Sequence, residues 1–267
     1  MAFILSNKLP DPSQRYTYWG DDPTTPNANY NDTGPGFSNV KLTSDQKMMM
    51  SRTNSQRVLS RAVAGQKWNI DIGYHPMTRS EFEPINAFLL SRQGPLTPFF
   101  VSLPQYSTPR NAAWATVVDL VSAAELAFTV TIAHDAGSKR VTFTVPTGIN
   151  PAYETATGVI TNIPAQGDII NISDANDTNH TKAYMITAVE TRHANYDDAL
   201  TETDTPDEFS KTLRITVNPP LVRDVTSVGA ITFKDPLFKV ILPKAVREYS
   251  LNTDNLYKFG LKLEEYL

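Results

Sequence analysis

The residues able to do chemistry are few, and their spacing argues against most of it. The four histidines, His75, His134, His180 and His193, never stand at metal-ligand spacing from one another, and no HExxH pattern sets two rings one turn apart on a helix. The chain has no cysteine, so zinc-thiolate sites, thiol nucleophiles and disulfides are excluded together. GxSxG, GxxxxGKS/T and GxGxxG are absent as well, which removes the nucleophile elbow and the glycine-rich phosphate cradles. From Asp174 through Asn176 and Asp177 to Asn179 runs a series of side-chain oxygens such as a calcium loop uses, without the central glycine and closing glutamate of an EF-hand. Asx turns are the plainer reading of that run. Adjacent carboxylates, Asp21 with Asp22, Asp197 with Asp198 and Glu264 with Glu265, sit in polar contexts. Acid–base work needs one carboxyl pushed up by an apolar pocket, and these contexts offer none. The expectation is a protein that is not an enzyme and carries no cofactor or metal.

Two other groups of residues suggest binding rather than reaction. Arg52, Arg57, Arg61 and Lys67 form a modest basic cluster ahead of Trp68; such cations serve as a rim of interface salt bridges, as a lumen facing DNA, or simply as solubilising charge. The chain as a whole gives no broad electrostatic reason to bind nucleic acid, since 24 basic residues face 28 acidic ones for a net charge of −4. Residues 1–39 carry Pro10, Pro12, Pro23, Pro26 and Pro35 among many Asn, Asp and Gly, and show no periodicity. They are expected to form an extended arm. Its aromatics, Tyr16, Tyr18, Trp19 and Tyr30, are too many for a solvated linker and are the candidate arm contacts, on the arm's own body or on a neighbour.

The elements that would position these groups are mainly strands. Trp68, Ile70, Ile72 and Tyr74 share one phase of a strand predicted from Val58 to Met77, with Lys67, Asn69, Asp71 and Gly73 in the other phase. Thr78 with Glu81 and Ser80 with Glu83 both fit capping boxes, and Phe82, Ile85, Phe88 and Leu89 follow at helical spacing to about Arg92. Pro84 is tolerable only near the first turn. Phe99 to Leu103 forms an apolar strand. Far along the chain, Phe238, Val240 and Leu242 alternate, as do Tyr257, Phe259, Leu261 and Leu263.

This pattern predicts a mainly β (α+β) protein in which residues 40–109 and 236–267 make one discontinuous β domain with one short flanking helix. Residues 110–235 are an inserted domain, long enough to fold separately. Within it Phe128, Val130 and Ile132 alternate, His134 to Ser138 turns, and Val141, Phe143 and Val145 alternate back. Short strands near residues 159–160, 168–172, 183–189, 213–217 and 230–233 complete a small sandwich or barrel. The acidic stretch from Tyr196 to Glu208 reads as an exposed loop, and Tyr153, Tyr184 and Tyr196 as exposed aromatics able to stack on sugars. Hydrophobic residues make up 40% of the 267 and charged residues 19%, a globular profile. The first residues lack the basic lead of a signal peptide, and no apolar run approaches the roughly 20 residues that span a bilayer, so no membrane anchoring is expected.

The order of elements is similar to that of a known group. Ser51 to Arg61, Gln66 to Ile72, Phe82 through Phe88-Leu89-Leu90 with Gly94, and Pro98 to Pro104 together resemble siphophage distal tail proteins and lambda-type minor tail proteins. The end at Glu264-Glu265-Tyr266 resembles their closing strand. The resemblance implies a tail-tube-like β module with a flanking helix, assembled as a ring, usually a hexamer, at the tail tip or baseplate hub. Its implied partners are further copies of the chain, the tail tube protein, the hub protein and tail fibre or tip proteins, with transient contact to DNA passing through the lumen. The implied location is the virion tail, after assembly in the host cytoplasm. Two other readings stay open: another tail component such as a connector or baseplate subunit, and a host-glycan-binding module carried by the insertion.

Overall fold

The computed structural model describes residues 7–9, 36–62, 65–146, 153–154, 159–160, 162–190, 212–244 and 249–266. The mainly β class is borne out. In chain order the strands are β1 (Phe37–Asp45), β2 (Met48–Arg52), β3 (Val58–Ala62) and β4 (Lys67–Tyr74), then helix α1 (Arg79–Ser91) and β5 (Phe99–Ser102). Helix α2 (Ala112–Ala123) leads to β6 (Phe128–Val130), β7 (Arg140–Thr144), β8 (Tyr153–Glu154), β9 (Val159–Ile160), β10 (Ile169–Ser173), β11 (Ala183–Val189), β12 (Thr212–Asn218) and β13 (Ala230–Thr232). The chain ends with β14 (Leu237–Ile241), β15 (Tyr249–Leu251) and β16 (Tyr257–Glu265). It divides into two compact units, residues 1–101 with 239–267, and residues 102–238.

The first unit is built on a sheet of order β1-β4-β16-β14-β5, with β15 paired to β16. The alternation in β4 does what period two requires: Trp68, Ile70, Ile72 and Tyr74 are buried and the residues between them are half-buried. On β16 the same rule buries Phe259, Leu261 and Leu263, and the register sets Ile72 opposite Leu261 and Ile70 opposite Leu263. The expected strand from Val58 to Met77 is in fact two, because Val58–Ala62 turns back on β2 instead of joining the sheet.

Helix α1 starts as its capping box dictates. Glu81 Oε2 accepts from the Thr78 amide at 2.8 Å, while Ser80 and Glu83 lie inside the helix and cap nothing. Pro84 falls in the second turn rather than the first. The buried stripe of Phe82, Ile85, Phe88 and Leu89 follows the 3.6-residue period. Phe82 stacks on Tyr257 at 4.5 Å, and Phe88 meets Phe99 edge-on at 5.4 Å. The outer side of β5 is met by the chain's own start: Leu9 N–H donates to Phe100 O, and Phe100 N–H to Asn7 O, both at 2.7 Å.

The second unit is a closed barrel, β10-β11-β12-β7-β6-β13, with β13 returning to β10. Closure leaves no sheet edge and resolves the expected sandwich or barrel in favour of the barrel. A second helix, α2, was not expected from the sequence. Asn111 caps it by accepting from the Ala113 amide at 3.1 Å. Trp114, Val117, Val118 and Val121 are its buried face. Trp114 is fully buried and touches Phe128, Phe143 and Phe233, with ring centroids between 5.2 and 6.3 Å.

Candidate functional site

The most exposed apolar surface of the first unit is the β2–β3 hairpin. Its register sets Met49 opposite Arg61 and Ser51 opposite Leu59, with Met50 opposite Ser60 and Arg52 opposite Val58 on the other face. The turn is local: Gln56 N–H donates to Thr53 O at 2.8 Å, Thr53 Oγ1 accepts from the Arg57 amide at 3.2 Å, and Gln56 takes a φ of 62°. Met48, Met49, Met50, Val58 and Leu59 are between 49% and 72% exposed, so neither face of the ribbon is covered. A lone two-stranded hairpin is only marginally stable in water, and contiguous exposed apolar side chains mark a surface that meets another molecule. Methionines suit that use because their unbranched side chains adapt to the partner.

Of the four basic residues singled out, three share the hairpin, but Arg52 and Arg61 stand on its opposite faces. Arg52, Arg57 and Arg61 all lie exposed on the hairpin or its turn, and none makes an ion pair among the described residues. Lys67 stands apart on β4, where it pairs with Glu264. That hydrogen bond, against some opposing burial, holds the Lys67 ammonium above its ordinary value. The candidate arm contacts Tyr16, Tyr18, Trp19 and Tyr30 lie outside the described residues, as does the acidic stretch 196–208. Strand β1 ends the sheet and leaves an outer row of backbone groups open for pairing.

The other candidates resolve into structural roles. Asp174 accepts from the Asn176 amide at 2.8 Å and from the Thr226 amide and hydroxyl at 2.6 and 2.8 Å, while Asp177 accepts from the Asn179 amide at 2.9 Å and pairs with Arg223. These carboxylates close Asx turns instead of opening toward an ion. Tyr184, expected to be exposed, is fully buried; its hydroxyl lies 2.8 Å from His180 Nε2 and accepts from the Val222 amide at 3.1 Å. It therefore cannot stack on a sugar. Glu265, expected in a polar context, is 4% exposed and accepts from the Trp68 amide at 3.0 Å. As neighbours on a strand, Glu264 and Glu265 point to opposite faces and form no acid–base pair.

Among the described residues, the sheet, helix α1 and the uncovered hairpin define a module whose most distinctive surface is an exposed apolar ribbon. Residues 21–106 match the family described as distal tail protein pb9, A domain, N-terminal. The match takes in β1 to β5 with α1, almost wholly within the first of the two units, and it bears out the resemblance to siphophage distal tail proteins over that segment. No curated protein matches the chain.

Proposed function

We propose that the chain is a ring-forming subunit of the distal tail that links the tail tube to hub and fibre proteins. The observation that carries this reading is the β2–β3 hairpin, which exposes five apolar side chains beside three arginines that make no ion pair among the described residues within the segment that matches the distal tail family. Apolar anchors flanked by cations fit a protein interface in which charge sets register and apolar burial supplies affinity. In this reading residues 40–109 with 236–267 build the ring, 110–235 serve as an adaptor, and within residues 1–39 the aromatics Tyr16, Tyr18, Trp19 and Tyr30 supply contacts to a neighbour. Arg52, Arg57 and Arg61 lie at the subunit boundary or toward the DNA path. The ring is a hexamer, and it assembles in the host cytoplasm.

Native mass spectrometry and mass photometry of the full chain, alone and with the tail tube protein, test the reading. Discrete ring-sized species are expected from the wild-type chain, and their loss from the Met49→Glu, Leu59→Glu double variant while that variant keeps the wild-type melting temperature. Monomers at every concentration and with every tail partner would overturn it.

A further inference from the structure

The barrel carries a concentration of positive charge that neither its fold nor the proposed ring accounts for. A groove of about 470 Å³ opens on its outer wall, lined by Ile132, His134, Ser138, Lys139, Arg140, Thr142 and Arg214. Its floor follows from the strand register. On β7 the inward residues are Val141 and Phe143, and on β12 they are Leu213 and Ile215, all fully buried. Arg140 and Thr142 therefore share the outer face with Arg214 and Thr216. Thr142 lies opposite Arg214, and Arg140 opposite Thr216, so Arg140 and Arg214 are diagonal neighbours on one face, near enough for both side chains to reach one small ligand. Lys139 stands at the rim.

The charges do not cancel. Glu190 takes part of Arg214's charge through a 2.7 Å ion pair, but Lys139 and Arg140 make no ion pair among the described residues. His134 shapes the groove without charging it, since its Nε2 accepts from the Thr142 amide at 3.0 Å. Among the described residues a local surplus of two cations thus sits on a chain whose net charge is −4. Guanidinium forks flanking a groove with a hydroxyl in its lining match the planar, bidentate demands of an oxyanion. A polynucleotide needs cations strung along a track, one for each phosphate neutralised, whereas these are gathered in a single groove.

We propose that this groove is a binding site for a phosphate monoester, the phosphate presented either free or at the end of a small phosphorylated molecule. Isothermal titration of the full chain with inorganic phosphate, glucose 6-phosphate, glucose and oligothymidylates of rising length tests it. Saturable binding of phosphate or glucose 6-phosphate, but not glucose, is expected, weakened about tenfold or more by Arg140→Gln and by Lys139→Gln. Both side chains are exposed, so these variants should melt as the wild type does. Tighter binding of glucose 6-phosphate than of inorganic phosphate assigns the site to the phosphorylated molecule, and equal binding assigns it to the free ion. Three results would each overturn the proposal: no saturation by either phosphate at about 10 mM, equal binding by the Arg140→Gln chain, or affinity that climbs with oligonucleotide length.

Discussion

Lys67 on β4 donates to the carboxylate of Glu264 on β16, a pair separated by 197 residues in sequence. One residue further along each strand, the Trp68 amide donates to the buried Glu265. The last strand is thus fastened to the fourth by two neighbouring carboxylates, one at the surface and one inside. The two should answer differently to mutation.

Glu264→Gln and Lys67→Gln should each cost little, about 0.2–1 kcal/mol, because both side chains are roughly a third exposed or less and solvent screens the pair. Glu265→Ala should cost more, about 1–3 kcal/mol, since it leaves the Trp68 amide buried without its acceptor. Urea denaturation of the three variants, with a double-mutant cycle on the first two, measures the difference.

Trp114→Ala should destabilise the barrel by about 3–5 kcal/mol, the cost of opening a large cavity among Phe128, Phe143 and Phe233. Trp114→Phe should recover much of that loss. Near-ultraviolet circular dichroism during thermal melting reports it directly.

Asp174 provides a test in acid. Hydrogen bonds from the Thr226 amide and then the Asn176 amide hold its carboxyl below the ordinary 3.8. A carboxyl depressed in the folded state gives stability that is complete above the unfolded value and is lost as pH falls through the folded one. Asp174→Ala should therefore cost about 1.5–3 kcal/mol at neutral pH, and the gap to wild type should narrow as pH falls below the ordinary 3.8. Calcium added at neutral pH should leave the melting temperature unchanged.

His180 acts in the opposite charge sense over a different window. Burial, chiefly, pushes it below its ordinary 6.5, so the unfolded chain binds the proton first and stability should decline as pH drops below about 6.5. Tyr184→Phe should cost about 1–3 kcal/mol by removing the hydroxyl shared with His180 and the Val222 amide. His180→Gln should flatten the slope of melting temperature against pH below the ordinary 6.5.

What could be read from the sequence was whatever a single period enforces. The β4 alternation, the Thr78 capping box and the α1 stripe each declare one face to a packed neighbour, and the short strands of the barrel show their apolar phase in the same way. Helix α2 escaped notice although Trp114, Val117, Val118 and Val121 hold the i, i+3, i+4, i+7 spacing, because the β-branched valines and Thr116 weigh toward strand. The hairpin escaped for the opposite reason. Its methionines bury nothing within the chain, so no inward phase betrays the ribbon. Arg140 and Arg214, which make the basic groove, lie 74 positions apart, and only the β7–β12 register joins them.

The bridge that Asn7 to Leu9 make to Phe100 of β5 has a further effect. By occupying both the amide and the carbonyl of Phe100, it blocks the middle of the β5 edge against an incoming strand. Among the described residues, the longest strand left open for edge-to-edge addition is then β1, at the other end of the sheet. Two copies paired at β1 would use that edge up, so a closed assembly larger than a pair that used it would need a second kind of interface among its joints.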